Sequence, residues 1–319
     1  MLKKILSVLA FSLAIAAPAI AFEPKDRPIT IISGFTPGAT DQALRPYIEV
    51  LESKGYKVNI EHRPGANGSI AMNHFANKAN PDGYTLWATA SSLLTIAPIA
   101  TPELVQNNGV DLITTVAAGP MVLISTKESG IKTIEDFRKD LSSDRKDINI
   151  ATPSLFFEVA ARYLVNQVSK DNKSVPTVSY KSGADAIRDI LGNHVRYGVL
   201  QLAVAAPFID SDKINIIAIS GTHRFPSMLH VPTFSEKIKG FHPKVEASWG
   251  LALPKGTASE IHKFYHDTIT SIARKTETRA RLQTSFMIIP ENYIGKQAFE
   301  KRIAEETVLW KEILVNIKK

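Results

Sequence analysis

From residue 29 onward, short apolar and β-branched runs alternate with longer stretches in which apolar residues recur every three or four positions. The runs at 29–32, 58–61 and 84–88 read as strands, and the stretches at 41–54 and 69–78 read as helices. In the first helix Leu44, Tyr47, Ile48 and Leu51 share one buried face, while Pro46 predicts an irregular first turn. A second series follows: strand 121–125, a helix capped by Thr133 and ending at Leu141, strand 149–152, helix 153–169, strand 178–180, helix 184–191, and strands 196–201 and 214–220. Such alternation predicts an α/β fold of two domains, each a mainly parallel sheet flanked by helices. Two more helices, 259–275 and 296–317, close the chain, and folded back they would make the first domain discontinuous. We therefore expect domain 1 at 22–121 and 248–319 and domain 2 at 122–247. The last helix carries an apolar stripe of Phe299, Ile303, Trp310, Ile313, Leu314 and Ile317, read as packing, with Glu305 and Glu306 on a solvated flank.

The first 21 residues belong to a different class. Lys3 and Lys4 precede an apolar run at 5–16, then Pro18 and Ala19-Ile20-Ala21, the pattern of a secretory signal peptide cut after Ala21. The run is too short to span a bilayer, and no later stretch approaches the roughly 18 apolar residues that a membrane helix requires. We expect an exported chain with no membrane insertion. The 319 residues include no cysteine, which excludes disulfides, thiolate nucleophiles, thiolate metal sites and a lipid-modified cysteine. The net charge of +7 falls by two with the signal lysines and is spread along the surface segments. That favours anionic partners, but no recognition-helix motif or aromatic-interleaved basic stripe points to nucleic acid.

Candidate chemistry lies where strands pass into helices. Phe35-Thr36-Pro37-Gly38-Ala39-Thr40-Asp41 joins the first strand to the first helix and combines a flexible glycine with capping residue types. Free N–H groups and the helix dipole at such a start favour an anion, although a plain tight turn with a cap would use the same residues. A second loop, His62-Arg63-Pro64-Gly65-Ala66-Asn67-Gly68-Ser69, repeats the physics, so the two side by side could close on one anion. Neither fits a phosphate-loop pattern. In the second half Thr152 reads as an N-cap with Pro153 at the first helical position and Ser154 beside it, and Lys181-Ser182-Gly183 precedes another helix. His262 and His266, four apart on a helix, have metal-ligand spacing but no third ligand, and read as solvated-face residues. No nucleophile elbow or zinc motif is present, and no Ser-x-x-Lys set is placed before a plausible partner, so we expect neither enzyme activity nor a metal or cofactor.

Taken in order, these segments resemble one family across nearly the whole chain after the signal. The motifs are Arg27-Pro28-Ile29, the Phe-x-Pro-Gly loop ending in Thr40-Asp41, Arg63-Pro64-Gly65-Ala66 with Gly68, Pro81-Asp82-Gly83-Tyr84-Thr85-Leu86, Tyr180-Lys181, Gly192, Val231-Pro232-Thr233, and Ser248-Trp249-Gly250-Leu251 with Pro254, Gly256 and Thr257. The family is the substrate-binding receptors of tripartite tricarboxylate transporters, the Bug proteins. The resemblance implies a two-domain periplasmic binding protein of the Venus-flytrap type that delivers a small organic carboxylate to membrane permease subunits, working as a monomer. It implies a ligand site formed by Phe35, Pro37, Gly38, Ala39, Thr40, Asp41, Ala66, Asn67, Gly68 and Ser69. Thr89, Ser91, Thr152, Ser154, Ser248 and Trp249 complete it, with Leu200 and Gln201 expected on the opposite wall. Alternatives are a periplasmic enzyme on a small anionic metabolite or a ligand sensor for a two-component system. The chain departs from the pattern in a shorter first loop, in Ala151-Thr152-Pro153-Ser154-Leu155-Phe156-Phe157 replacing a Gly/Ser-rich stretch, and in Leu200, beside Gln201, where many relatives carry an aspartate able to meet a ligand amine. We expect an amine-free aliphatic dicarboxylate or aromatic carboxylate, with Phe156 and Phe157 lining either the cleft or the core.

Overall fold

A computed structural model describes residues 22–105, 109–169, 174–209 and 212–317. The signal peptide expected at 1–21 lies outside the described residues. Among the described residues, ten strands form two five-stranded sheets. The first contains β1 (Ile29–Ser33), β2 (Val58–His62), β3 (Thr85–Ala90), β4 (Val110–Gly119) and β10 (Ala247–Pro254), in the order β2-β1-β3-β10-β4. The second contains β5 (Met121–Thr126), β6 (Ile150–Thr152), β7 (Thr177–Ser179), β8 (Tyr197–Gln201) and β9 (Ile214–Ile219), in the order β7-β6-β8-β5-β9. In each sheet three strands pair in parallel, and one strand, β10 or β5, runs antiparallel to both of its neighbours. The sheets are therefore mixed rather than mainly parallel, with two parallel and two antiparallel pairings in each, and they share one topology.

The longer helices are α1 (Ala39–Ser53), α2 (Ser69–Lys78), α3 (Ile134–Leu141), α4 (Leu155–Val168), α5 (Gly183–Leu191), α6 (Ser259–Arg274), α7 (Thr276–Thr284) and α8 (Lys296–Ile317). Most follow the sequence pattern within two residues. Thr133 caps α3 as expected, accepting from the Asp136 N–H while the Asp136 carboxylate accepts from the Thr133 N–H. Pro46 sits in the middle of α1 rather than its first turn, and it is buried there. Strand β4, which the apolar pattern leaves unmarked, is rich in Thr and Ala and becomes a strand by pairing along β10. β10 itself is buried along its whole length, and Gly250 within it makes room for α8, since a Cβ there would lie 2.4 Å from the Phe299 ring.

The chain passes between the sheets twice. Only Pro120 separates β4 from β5, and its carbonyl accepts from the Leu202 N–H at the end of β8. The return runs from β9 to β10 and ends in Glu246, which corrects the reading of the last helix. Glu306 is buried, bonded to Arg302, and Arg302 also reaches Glu246 and stacks on Tyr293 with 3.9 Å to the ring centroid. One side of α8 is thus an internal ion cluster rather than a solvated flank, although Glu305 remains outside. The apolar core is continuous between the sheets. It joins Ile31 and Leu86 of the first to Leu123 and Val199 of the second, and Phe156 of α4 meets Trp310 of α8 at 5.5 Å.

Candidate ligand-binding site

The carboxyl ends of β1, β3, β6, β7 and β8 all open toward the space between the sheets, which is where parallel α/β sheets bind ligands. A cavity of about 300 Å³ lies there. It is lined from the first lobe by Phe35, Thr36, Pro37, Gly38, Ala39, Thr40, Gln42, Ser91 and Ser92, and from β10 by Ser248 and Trp249. The second lobe contributes Pro153, Ser154, Phe156, Phe157, Lys181, Ser182, Gly183, Gln201, Ala203, Val204 and Pro207. Among the described residues that line it, Lys181 alone is charged.

Three helices present their starts to this cavity: α1 at Gly38–Thr40, α4 at Ser154 and α5 at Ser182–Ala184. The first N–H groups of a helix have no acceptor within it, so each start offers donors and a partial positive charge. Gly38 occupies the N-cap of α1, where the backbone is extended, and Asp41 turns back to accept the Gly38 N–H at 2.9 Å. His62, at the end of β2, braces the loop: its Nδ1 lies 2.7 Å from the Phe35 carbonyl and its Nε2 3.2 Å from Asp41. Ser182 caps α5 by accepting from the Asp185 N–H. Before it, Tyr180 donates to Asp189; burial, with Asp189 adding, pushes the phenol up to about 12, so the hydroxyl keeps its proton and pins the Lys181 turn to α5.

The structure brings many of the expected residues to the cavity and moves others behind it. Phe35, Pro37, Gly38, Ala39, Thr40, Ser91, Ser154, Gln201, Ser248 and Trp249 line the space. Asp41 is a cap, not part of the wall. Gly68 and Ser69 are buried behind the first loop, where Gly68 has φ +94° and a Cβ on Gly34 would lie 2.7 Å from its Cα. The two loops do lie side by side, but the second supports the first. Ala66 and Asn67 take positive φ, and the Asn67 side chain reaches across to accept the Leu155 N–H at 3.1 Å.

Thr89 is buried, and its hydroxyl donates to the Ala90 carbonyl. Thr152 is a buried strand residue rather than an N-cap; α4 starts two residues later than expected, with Ser154 at its N-cap position. Leu200 packs among Val122, Ile124 and Ile190 in the second lobe, because successive strand residues face opposite ways, and Gln201 meets the cavity instead. Phe156 and Phe157 do both jobs, joining the core and the cavity wall with rings edge to face at 5.0 Å. His262 is half-buried, its Nε2 3.0 Å from the Leu112 carbonyl, and so is not a free surface histidine. Gln42, Ser92, Ala203, Val204 and Pro207 went unmarked in the sequence. A rule that ligands sit past strand carboxyl ends would have found the last three, which follow β8 directly.

Residues 48–318 match the sequence profile described as Tripartite tricarboxylate transporter family receptor. BugT of Bordetella pertussis is 27% identical over 271 residues, 81% of each chain. A UPF0065 protein of Bordetella bronchiseptica is 28% identical over 256 residues, covering 78% of this chain and 74% of the relative. Among solved structures, the periplasmic binding protein BugD superposes with a TM-score of 0.82 at 22% identity, over 92% of this chain and 98% of that one. MatC of Rhodopseudomonas palustris, solved with malate, gives 0.80 at 22% over 90% and 99%. An R. palustris protein solved with adipate gives 0.84 at 19% over 92% and 98%. The likeness to these structures is one of fold, and the profile match covers most of the chain. The chain belongs to the tripartite tricarboxylate transporter receptor family, a family of substrate-binding receptors.

Proposed function

We propose that this protein is a periplasmic receptor that captures a small, amine-free organic carboxylate between its lobes, without converting it, and hands it to membrane permease subunits. The observation that carries the reading is the charge of the cavity wall: three helix starts and Lys181 face it, and among the described residues no carboxylate lines it. An anion gains there from oriented N–H groups. An ammonium group would be buried without a counter-charge, at a cost of several kcal/mol. Leu200 lies in the core and takes no part in this rejection of amino acids. Phe35, Phe156, Phe157 and Trp249 add apolar wall suited to an aliphatic dicarboxylate or an aromatic acid. Malate-bound and adipate-bound proteins of the same fold support a carboxylate ligand. We assign residues 1–21 to the export signal, 22–121 with 248–319 to one lobe and 122–247 to the other.

A thermal-shift screen of carboxylates and amino acids tests the reading, because ligand that binds only the folded state raises the melting temperature. Amine-free acids should stabilise the protein and be recovered unchanged. Lys181→Met should weaken binding of every active acid by about threefold to tenfold and flatten its salt dependence, as expected for an exposed charge. Stabilisation by glutamate or aspartate alone would refute the amine-free assignment.

A further inference from the structure

At the floor of the cavity, Gln201 ends β8 beside the Pro120 crossing, where it pairs with Met121 of β5. It is 2% exposed, and neither its Oε1 nor its Nε2 has a hydrogen-bond partner among the described residues. Ser248, on β10, lines the same cavity, is also 2% exposed, and its hydroxyl is likewise unpartnered. The backbone beneath is shaped for the amide: a Cβ on Gly119 would lie 2.3 Å from Gln201 Nε2, so only glycine leaves the side chain its place. A buried amide with both ends unpaired is costly, and what satisfies it has to enter the cavity.

The chemistry of that group follows from what the amide offers. Nε2 donates and Oε1 accepts. A carboxylate only accepts, so it could engage Nε2 and the Ser248 hydroxyl but would leave Oε1 unpaired. An ammonium only donates and would leave Nε2 unpaired. A hydroxyl does both, donating to Oε1 while accepting from Nε2 or Ser248. Resting on the receptor function above, we infer that Gln201, backed by Gly119 and joined by Ser248, selects a carboxylate that also bears a hydroxyl group.

Matched acids differing by one hydroxyl separate this from the general reading: succinate and malate, hexanoate and 6-hydroxyhexanoate, benzoate and 4-hydroxybenzoate, each titrated calorimetrically into the purified protein. In at least one pair the hydroxylated acid should bind about tenfold to a hundredfold tighter, the usual penalty for leaving a buried polar group unpaired. Gln201→Met should abolish that preference, bringing the hydroxylated and deoxy acids of each pair to within about threefold of one another in the variant. Equal affinities within every pair, or a preference that survives Gln201→Met, would overturn the inference while leaving the carboxylate receptor intact. A protein that binds no carboxylate of either kind would sink both. Preference for succinamate over malate would overturn the choice of a hydroxyl in favour of an amide.

Discussion

Gly34 and Gly68 meet backbone to backbone behind the cavity wall, and the approach is too close for any side chain on the first of them. A Cβ on Gly34 would stand 2.7 Å from the Gly68 Cα and 3.0 Å from its carbonyl oxygen. Main chain cannot swing aside as a flexible side chain can, so Gly34→Ala should push the two loops apart at a cost of about 1–3 kcal/mol. For a chain of this size each kcal/mol lowers the melting temperature by about 2–4 °C. Calorimetric melting checks this, and an unchanged temperature would show that the loops have slack. The same contact explains why the second loop supports a site it does not line: Gly68 also carries the Phe35 ring, whose atoms lie 3.2 and 3.4 Å from where its Cβ would be. His62 adds a second brace from β2, so the donors of the first loop are held by neighbours on two sides.

Among the elements, α4 stands out for how its start is satisfied. Ser154 holds the N-cap position, yet its hydroxyl makes no capping bond, and the first N–H of the helix, Leu155, donates to Asn67 of the opposite lobe. An exposed asparagine held at φ 52° is conformationally unfavourable for most residues but tolerated by this one. The bond joins a loop that follows the first sheet to a helix that follows the second, so it stabilises the arrangement in which the two are in contact. Asn67→Ala should remove about 1 kcal/mol from that state and weaken ligand binding about fivefold, mainly through faster release. Stopped-flow dissociation of a ligand found in the thermal-shift screen provides the measurement; unchanged release would mean that the bond does not govern closure.

At the scale of the molecule, the return crossing ends in a buried charge cluster. Arg302 faces two carboxylates, Glu246 and Glu306, with Tyr293 donating to Glu246 at 2.9 Å. Burial raises the Glu246 carboxyl above its ordinary 4.5, and the pull of Arg302 only partly offsets this. Between pH 4.5 and that raised value the folded state therefore binds more of this proton than the unfolded chain does. The associated stability is complete below pH 4.5 and is lost as pH rises from there through the raised value. Glu246→Gln keeps an acceptor for Tyr293 and leaves Arg302 paired one to one with Glu306. The variant should melt higher than the natural protein at pH 7.5, on the order of 2–4 °C, with the gap closing at pH 4. A lower melting temperature at pH 7.5 would show that ionised Glu246 is a net stabilising partner of Arg302.

Much of this architecture is legible along the chain, because periodicity of apolar residues and local capping chemistry act between near neighbours. The Thr133 cap, the face of α1 through Leu44, Tyr47, Ile48 and Leu51, the span of α8, and the helix starts at Gly38 and Ser182 all follow from residues within a few positions of one another. Other features depended on partners far away in sequence. Strand β4 needs β10, more than a hundred residues later, to pair with, and Glu306 is buried because Arg302 and Glu246 await it. The order of Leu200 and Gln201 on β8 is plain in the chain, but which of them faces the core is a matter of strand phase, and only the packing of β8 against β5 and β6 decides it. Local chemistry thus determined that this chain would present helix starts with free N–H groups, while tertiary packing decided which side chains stand among them, because a single step along a strand exchanges an apolar wall for an amide.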